Sequence, residues 1–303
     1  MTPDPESPST GPTEPASTEP SQVEPEFSIT VETAEPPKKR GALRDLLAIL
    51  VTTRLVWFAS ITAAVVLTVS RFHASTGEYR QLMQLAETPG TVLSRVLTLM
   101  RHLGIAARLD AAMGPVADHI YWFVSSLVLF MVIPLLAAAV VPGIRIRELG
   151  VGTGDWRYGL KAFLLLYCIM LPFVVAASFS PTFVGQYPMS AGAATSWRAL
   201  ISYQAAYYAY FIGWEFVYRG LLCVALYPQL GAPVILLSAI PFGVMHAGKP
   251  ELEAFGSIVA AIALGAVAVR ARSFWYGALL HSAVAGTMDA LALTQTHRWP
   301  KTW

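Results

Sequence analysis

Gly213-Trp214-Glu215-Phe216-Val217-Tyr218-Arg219-Gly220 stands in the middle of an apolar run, Leu200 to Tyr227, that is long enough to cross a bilayer. A carboxylate and a guanidinium at i and i+4 share one face of a helix, about 6 Å apart. Either group alone at bilayer depth costs roughly 2.5–3.5 kcal/mol on insertion scales, so the pair is expected to face a protein interior and each other. The remainder of the chain reads as the apolar body that supplies this interior.

Composition agrees. Of 303 residues, 55% are hydrophobic and 13% charged, with a mean hydropathy of +0.52, a profile outside the soluble range. This predicts an all-α, polytopic helical membrane protein. The net charge of +2 hides an asymmetry: Met1 to Pro37 carries eight acidic residues and no basic one, which leaves the rest at +10. A basic membrane body suits contact with anionic lipid headgroups of the bilayer and offers no argument for nucleic acid. Cys168 and Cys223 both fall in apolar stretches and read as buried small hydrophobes, not as a disulfide.

Three regions follow. Residues 1–40 are rich in Pro, Glu, Ser and Thr and are expected to be a disordered acidic tail, without the features of a signal peptide. Residues 41–119 hold a first span, Leu46 to Val69, then a segment from Phe72 to His119 whose Arg, Glu and Leu at helical spacing predict one or two amphipathic helices at the interface. Residues 120–303 form the main helical domain, with further spans at Ile120–Val141, Leu160–Phe179, Ala199–Tyr227, Val234–Ala247 (short), Ala254–Val269 and Phe274–Leu293, seven in all. The cluster Lys38-Lys39-Arg40 with Arg44, just before the first span, places the N-terminus in the cytoplasm by the positive-inside rule.

Depth along the helices then groups the ionisable residues. At 1.5 Å per residue, Glu215 is about 18 Å from the cytoplasmic end of its helix, His246 about 20 Å along the fifth, and His281 about 12 Å into the seventh. Two imidazoles and a carboxylate converging inside a bilayer are sufficient to activate water, by general base catalysis or through a metal ion.

Glu215-x-x-x-Arg219, then Phe242-x-x-x-His246, then His281 in a later span, resembles the CPBP family of intramembrane proteases, which includes the CAAX prenyl endopeptidases and bacteriocin-immunity relatives. The order and spacing match from about Ala199 to Leu293. The resemblance implies a membrane endopeptidase of a bacterial inner membrane, acting on a peptide or membrane-protein substrate, with Glu215, Arg219, His246 and His281 as catalytic residues. In the family pattern Glu215 and His246 would activate the water and His281 would stabilise the oxyanion. Two positions depart from it: Trp214 replaces the first of two glutamates, and Ala285 replaces the asparagine of a His-x-x-x-Asn motif. Loss of one oxyanion donor typically costs about 10²–10³ in rate. Asp289, two helical turns beyond His281, is a candidate compensating carboxylate, and its plainer reading is a solvated or helix-pairing carboxylate. A divalent metal such as zinc, held by Glu215, His246 and His281, and a metal-free site are both open, since no His-Glu-x-x-His pair is present.

Each residue also has a plainer reading. Glu215 and Arg219 would serve as an ion pair clamping the bundle, His246 as a cap on exposed carbonyls before Gly248, and His281 as an interhelical hydrogen-bond donor. Trp214, Tyr207, Tyr208, Tyr210 and Trp275 read as lipid-facing, interfacial or packing aromatics. Three function classes remain: an intramembrane endopeptidase, an inactive relative that binds peptides as a scaffold or immunity-type protein, and an ion-coupled carrier, against which the lack of internal repeats counts.

Overall fold

The computed structural model describes residues 53–303. The acidic tail, the basic cluster and the start of the expected first span lie outside the described residues.

The described chain is a helical, polytopic membrane protein. The main helices are α1 (Arg54–His73), α2 (Thr76–Glu87), α3 (Val92–His102), α4 (Ile105–Met113), α5 (Gly114–Val140), α6 (Trp156–Ala177), α7 (Trp197–Leu230), α8 (Pro233–Val244), α9 (Glu251–Ala271) and α10 (Trp275–Gln295). Among the described residues, α1, α5, α6, α7 and α9 have the length and composition of membrane spans. The expected fifth span is shorter than predicted. At twelve residues α8 rises about 18 Å, well under the roughly 30 Å of a hydrocarbon core, because Pro233 starts it and the turn at Met245–Gly248 ends it. The expected seventh, α10, has 21 residues but is not among the five, since His281, Thr287 and Asp289 dilute its apolar content.

The interfacial segment is three short helices, not one or two. Ser75 and Thr91 cap α2 and α3 by accepting from the N–H of Glu78 and Ser94, and Gly104, at φ +66°, makes the bend into α4. On α3, Val92, Val96 and Leu99 recur at helical spacing and are exposed, alongside exposed Arg95 and Arg101. That outward amphipathic stripe fits the expectation for this segment.

The bundle is built around α7. In the most apolar window of α7, 72% of residues are buried, against 6% in α6, whose Leu164, Leu165, Ile169 and Phe173 face outward. Cys168 shares this outer face and is exposed, so only Cys223 is the buried small residue expected; its Sγ lies 3.0 Å from Ser238 Oγ. Around α7 a ladder of rings from Phe123 and Tyr203 through Tyr207, Tyr210 and Phe211 to Trp214 fills the core against α5. These aromatics pack inside, with Tyr207 and Trp214 buried. From Phe216 to Val224 the helix widens into a π-helix, a distortion frequent at functional sites. The wider turn is enclosed on all sides, for Phe216, Val217, Tyr218, Arg219 and Leu221 are fully buried.

Candidate active site

Ser196 starts α7 by accepting from the N–H of Ala199, and the helix then carries a stripe of side chains toward α10: Gln204, Tyr208, Phe211 and Glu215, spaced 4, 3 and 4 residues apart. Eleven residues advance about 1,100°, only 20° past three full turns, so Gln204 and Glu215 lie on one face. That face meets α10 in antiparallel register. Gln204 Nε2 donates to Asp289 Oδ2 at 2.6 Å. Tyr208 sets its hydroxyl against Gly286, in the space a Cβ would fill. Phe211 stacks on the His281 ring at 4.1 Å between centroids, and His281 Nδ1 donates to Glu215 Oε1 at 2.9 Å. Opposite Glu215 stands Gly277, where a Cβ would lie 2.5 Å from Oε2 and 3.2 Å from the carboxylate carbon. Glycine at 277 and 286 is thus what allows the two helices to close over the polar pair.

Glu215 and Arg219 are both fully buried, with Arg219 Nε 3.1 Å from Glu215 Oε2. The contact is an ion pair without hydrogen-bond alignment, because both atoms are otherwise unbonded among the described residues, as are the two terminal guanidinium nitrogens. Phe242 lies over the guanidinium, 4.3 Å from its centre, and supplies a π face in place of donors and acceptors. Trp214 Nε1 and the Tyr218 hydroxyl are also buried and unbonded among the described residues. Leaving a buried polar atom unbonded costs about 1–3 kcal/mol. Such atoms gather here, within six residues of one helix, and a bundle chosen for stability alone would not keep them there.

His246 is placed differently. It lies in the turn after α8, with Nδ1 2.8 Å from the carbonyl oxygen of Phe242. Because a carbonyl only accepts, Nδ1 carries the proton and Nε2 of the neutral ring holds the lone pair. This is the carbonyl-capping arrangement expected of a histidine at a helix end. Phe242 separates the two imidazoles, with its ring centroid 4.6 Å from His246 and 6.1 Å from His281. The edge of Trp214 also approaches His246, at 6.0 Å. The structure therefore joins Glu215, Arg219 and His281 directly and brings His246 to them across one aromatic ring.

The turn bearing His246 is held from outside. Lys249 donates its N–H to the His246 carbonyl at 3.1 Å, and its ammonium lies 3.3 Å from the Tyr187 hydroxyl and 3.9 Å from Glu253. Tyr187 in turn donates to Glu253, at 2.7 and 2.8 Å to its two oxygens. Burial lowers the Lys249 pKa from its ordinary value, against the pull of Glu253 and Asp289. Burial, and then the charge of Glu253, raises the Tyr187 phenol well above its ordinary range. Neither residue is marked by the sequence pattern, since the latch joins positions more than sixty residues apart.

One expectation is corrected. Asp289 does not compensate at His281: eight residues turn a helix about 80° past two full turns, so Asp289 looks away from the Glu215–His281 pair and pairs the helices through Gln204, its plainer reading. Of the residues suggested for a metal site, Glu215 faces an imidazole N–H and a guanidinium. Among the described residues no group of three or more His, Cys, Asp or Glu side chains is arranged to hold a metal ion. Ala285, at the position of the family asparagine, is buried among apolar neighbours and supplies no donor.

Comparison with protein families finds one match. Residues 196–287 fit the family described as type II CAAX prenyl endopeptidase Rce1-like. The matched stretch contains Trp214, Glu215, Arg219, His246, His281 and Ala285 and stops short of Asp289. It bears out the resemblance read from the motifs and, with the membrane helices, supports a membrane-embedded protease of the CAAX type in general. No curated protein and no solved structure matches the chain.

Proposed function

From the premise that residues 196–287 match the Rce1-like endopeptidases, we propose that this protein hydrolyses a peptide bond of a membrane-bound or membrane-inserted substrate at Glu215 and His281, with His246 beside them. The observation that carries this reading is the carboxylate–imidazole hydrogen bond of 2.9 Å between a fully buried Glu215 and a partly accessible His281. A carboxylate bonded to Nδ1–H fixes the imidazole tautomer and strengthens Nε2 as a base, an arrangement shared with many hydrolases.

In the proposed reaction a water molecule gives its proton to the Glu215–His281 pair, and the hydroxide attacks the carbonyl carbon. The imidazolium formed at His281 stabilises the negative oxygen of the tetrahedral intermediate and then returns the proton to the leaving amine. His246 Nε2, a hydrogen-bond acceptor, orients the attacking water. Arg219 supplies the counter-charge to Glu215, 3.1 Å away. Trp214 shapes the site as a wall beside His246 in this chain. No step is assigned to a metal ion.

The test is proteolysis in lipid nanodiscs against pooled prenylated, leader and transmembrane peptides, read by mass spectrometry, for wild type and the Glu215→Gln and His246→Ala variants. Wild-type cleavage is expected, with a loss of about 10²–10⁴ in Glu215→Gln. Undiminished cleavage by Glu215→Gln would sink the assignment of the base, and no cleavage by any form would sink the endopeptidase.

A further inference from the structure

The same pair of helices carries a second polar feature that the proposed chemistry leaves unused. Between α7 and α10, beyond the catalytic pair, lies a groove of about 420 Å³. Leu200, Ile201 and Leu293 make its walls, and the rings of Trp197, Tyr208 and Trp299 border it. Its floor is Asp289, 1% exposed, with Gln204. Gln204 spends its amide N–H on Asp289 Oδ2, which leaves two buried oxygens, Asp289 Oδ1 and Gln204 Oε1, without hydrogen bonds among the described residues. Both are acceptors. Asp289 has no ion-pair partner among the described residues, and the cations nearby are engaged elsewhere: Lys249 by Tyr187 and Glu253, Arg298 by the carbonyls of Val184 and Tyr187.

We propose that this groove is a specificity subsite that takes a basic side chain of the peptide substrate, four to five residues from the bond that is cut. The inference rests on the endopeptidase reading for its substrate and on the groove for its chemistry. A lysine or arginine matches each surface: donors only at the tip for two bare acceptors, a cation for the aromatic rim, and an aliphatic stem for the leucine and isoleucine walls. The spacing follows from the helices. His281 to Asp289 is eight residues, about 12 Å along α10, and Gln204 to Glu215 is eleven, about 16 Å along α7. An extended peptide at roughly 3.3 Å per residue covers that distance in four to five residues. Tyr208, on the border of the groove, sets its hydroxyl against Gly286 between the two points.

The experiment measures binding and cleavage separately. Fluorescent peptides that carry either lysine or norleucine, scanned one position at a time, are titrated by anisotropy against wild type, Glu215→Gln and Asp289→Asn in nanodiscs, and cleavage of the same peptides is read by mass spectrometry. Lysine four or five residues from the cut is expected to bind about tenfold or more tighter than norleucine. Glu215→Gln keeps that preference, and Asp289→Asn brings the lysine peptide down to the norleucine level. Gln204→Leu, which removes the second acceptor, narrows the preference and keeps the test decisive if Asp289→Asn fails to fold. Equal binding of the two peptides, or a preference that survives Asp289→Asn, overturns the subsite. A preference independent of lysine position also overturns it. A position-specific preference without cleavage leaves the subsite standing and overturns the endopeptidase.

Discussion

Gly277→Ala tests the catalytic geometry without removing any reacting group. The new methyl would lie 2.5 Å from Glu215 Oε2 and 3.2 Å from the carboxylate carbon. Ordinary contact requires about 3.5 Å, so either the carboxylate retreats by about 1 Å or the helices part by as much. Either movement disturbs the 2.9 Å hydrogen bond between Glu215 and His281. Overpacking costs about 1–3 kcal/mol, of which the helix propensity of alanine over glycine recovers about 1. A misplacement of about 1 Å in a reacting group costs on the order of 10² in rate. The expected signature is therefore a roughly hundredfold loss of kcat with a modest fall in thermal stability, measured by peptide cleavage and by melting in nanodiscs. Gly256→Ala is the control, since a Cβ there meets nothing within 4 Å, and it should melt at or slightly above wild type with unchanged cleavage. Wild-type cleavage by Gly277→Ala would refute the claim that the close approach of α10 positions Glu215.

Arg219→Met leaves a buried carboxylate uncompensated and is expected to cost about 3–5 kcal/mol in reversible unfolding in mixed micelles; adding Glu215→Gln should recover much of that loss, and strictly additive losses would mean the two do not act as a pair. Phe242→Ala removes a ring that is 2% exposed and covers the guanidinium, for about 3–5 kcal/mol by the same measurement, while Phe242→Leu, which keeps most of the volume, should cost clearly less. Tyr187 predicts an alkaline effect. Its folded pKa is raised above the unfolded value of about 10, so the folded state keeps a proton that the unfolded chain releases. The contribution is whole below pH ~10 and is lost as pH rises above it; Tyr187→Phe should flatten that fall in a pH series of melting temperatures, and an unchanged slope would count against the buried phenol.

Several features were legible because they are local. Hydropathy marks helices that cross a bilayer from a single window of residues, and five of the seven expected spans have the required length and composition. The Glu215–Arg219 pair was legible because i and i+4 meet on any helix, and the π distortion that follows Glu215 leaves them in contact. His246 capping its own i−4 carbonyl is local in the same sense. Composition could not show that α8 is too short to span, for the turn residues that end it sit inside an apolar run.

What the chain alone determined, then, is the membrane class, the order of its polar motifs and the pairings within one helix, all of which depend on neighbours a few residues apart. Only the tertiary structure decided how each helix is rotated about its own axis. That rotation bonds His281 to Glu215 across 66 positions and turns Asp289 toward Gln204 instead of His281. It is settled by where two surfaces can approach most closely. On α10 those places are Gly277 and Gly286, whose missing side chains admit Glu215 and Tyr208 from the helix opposite.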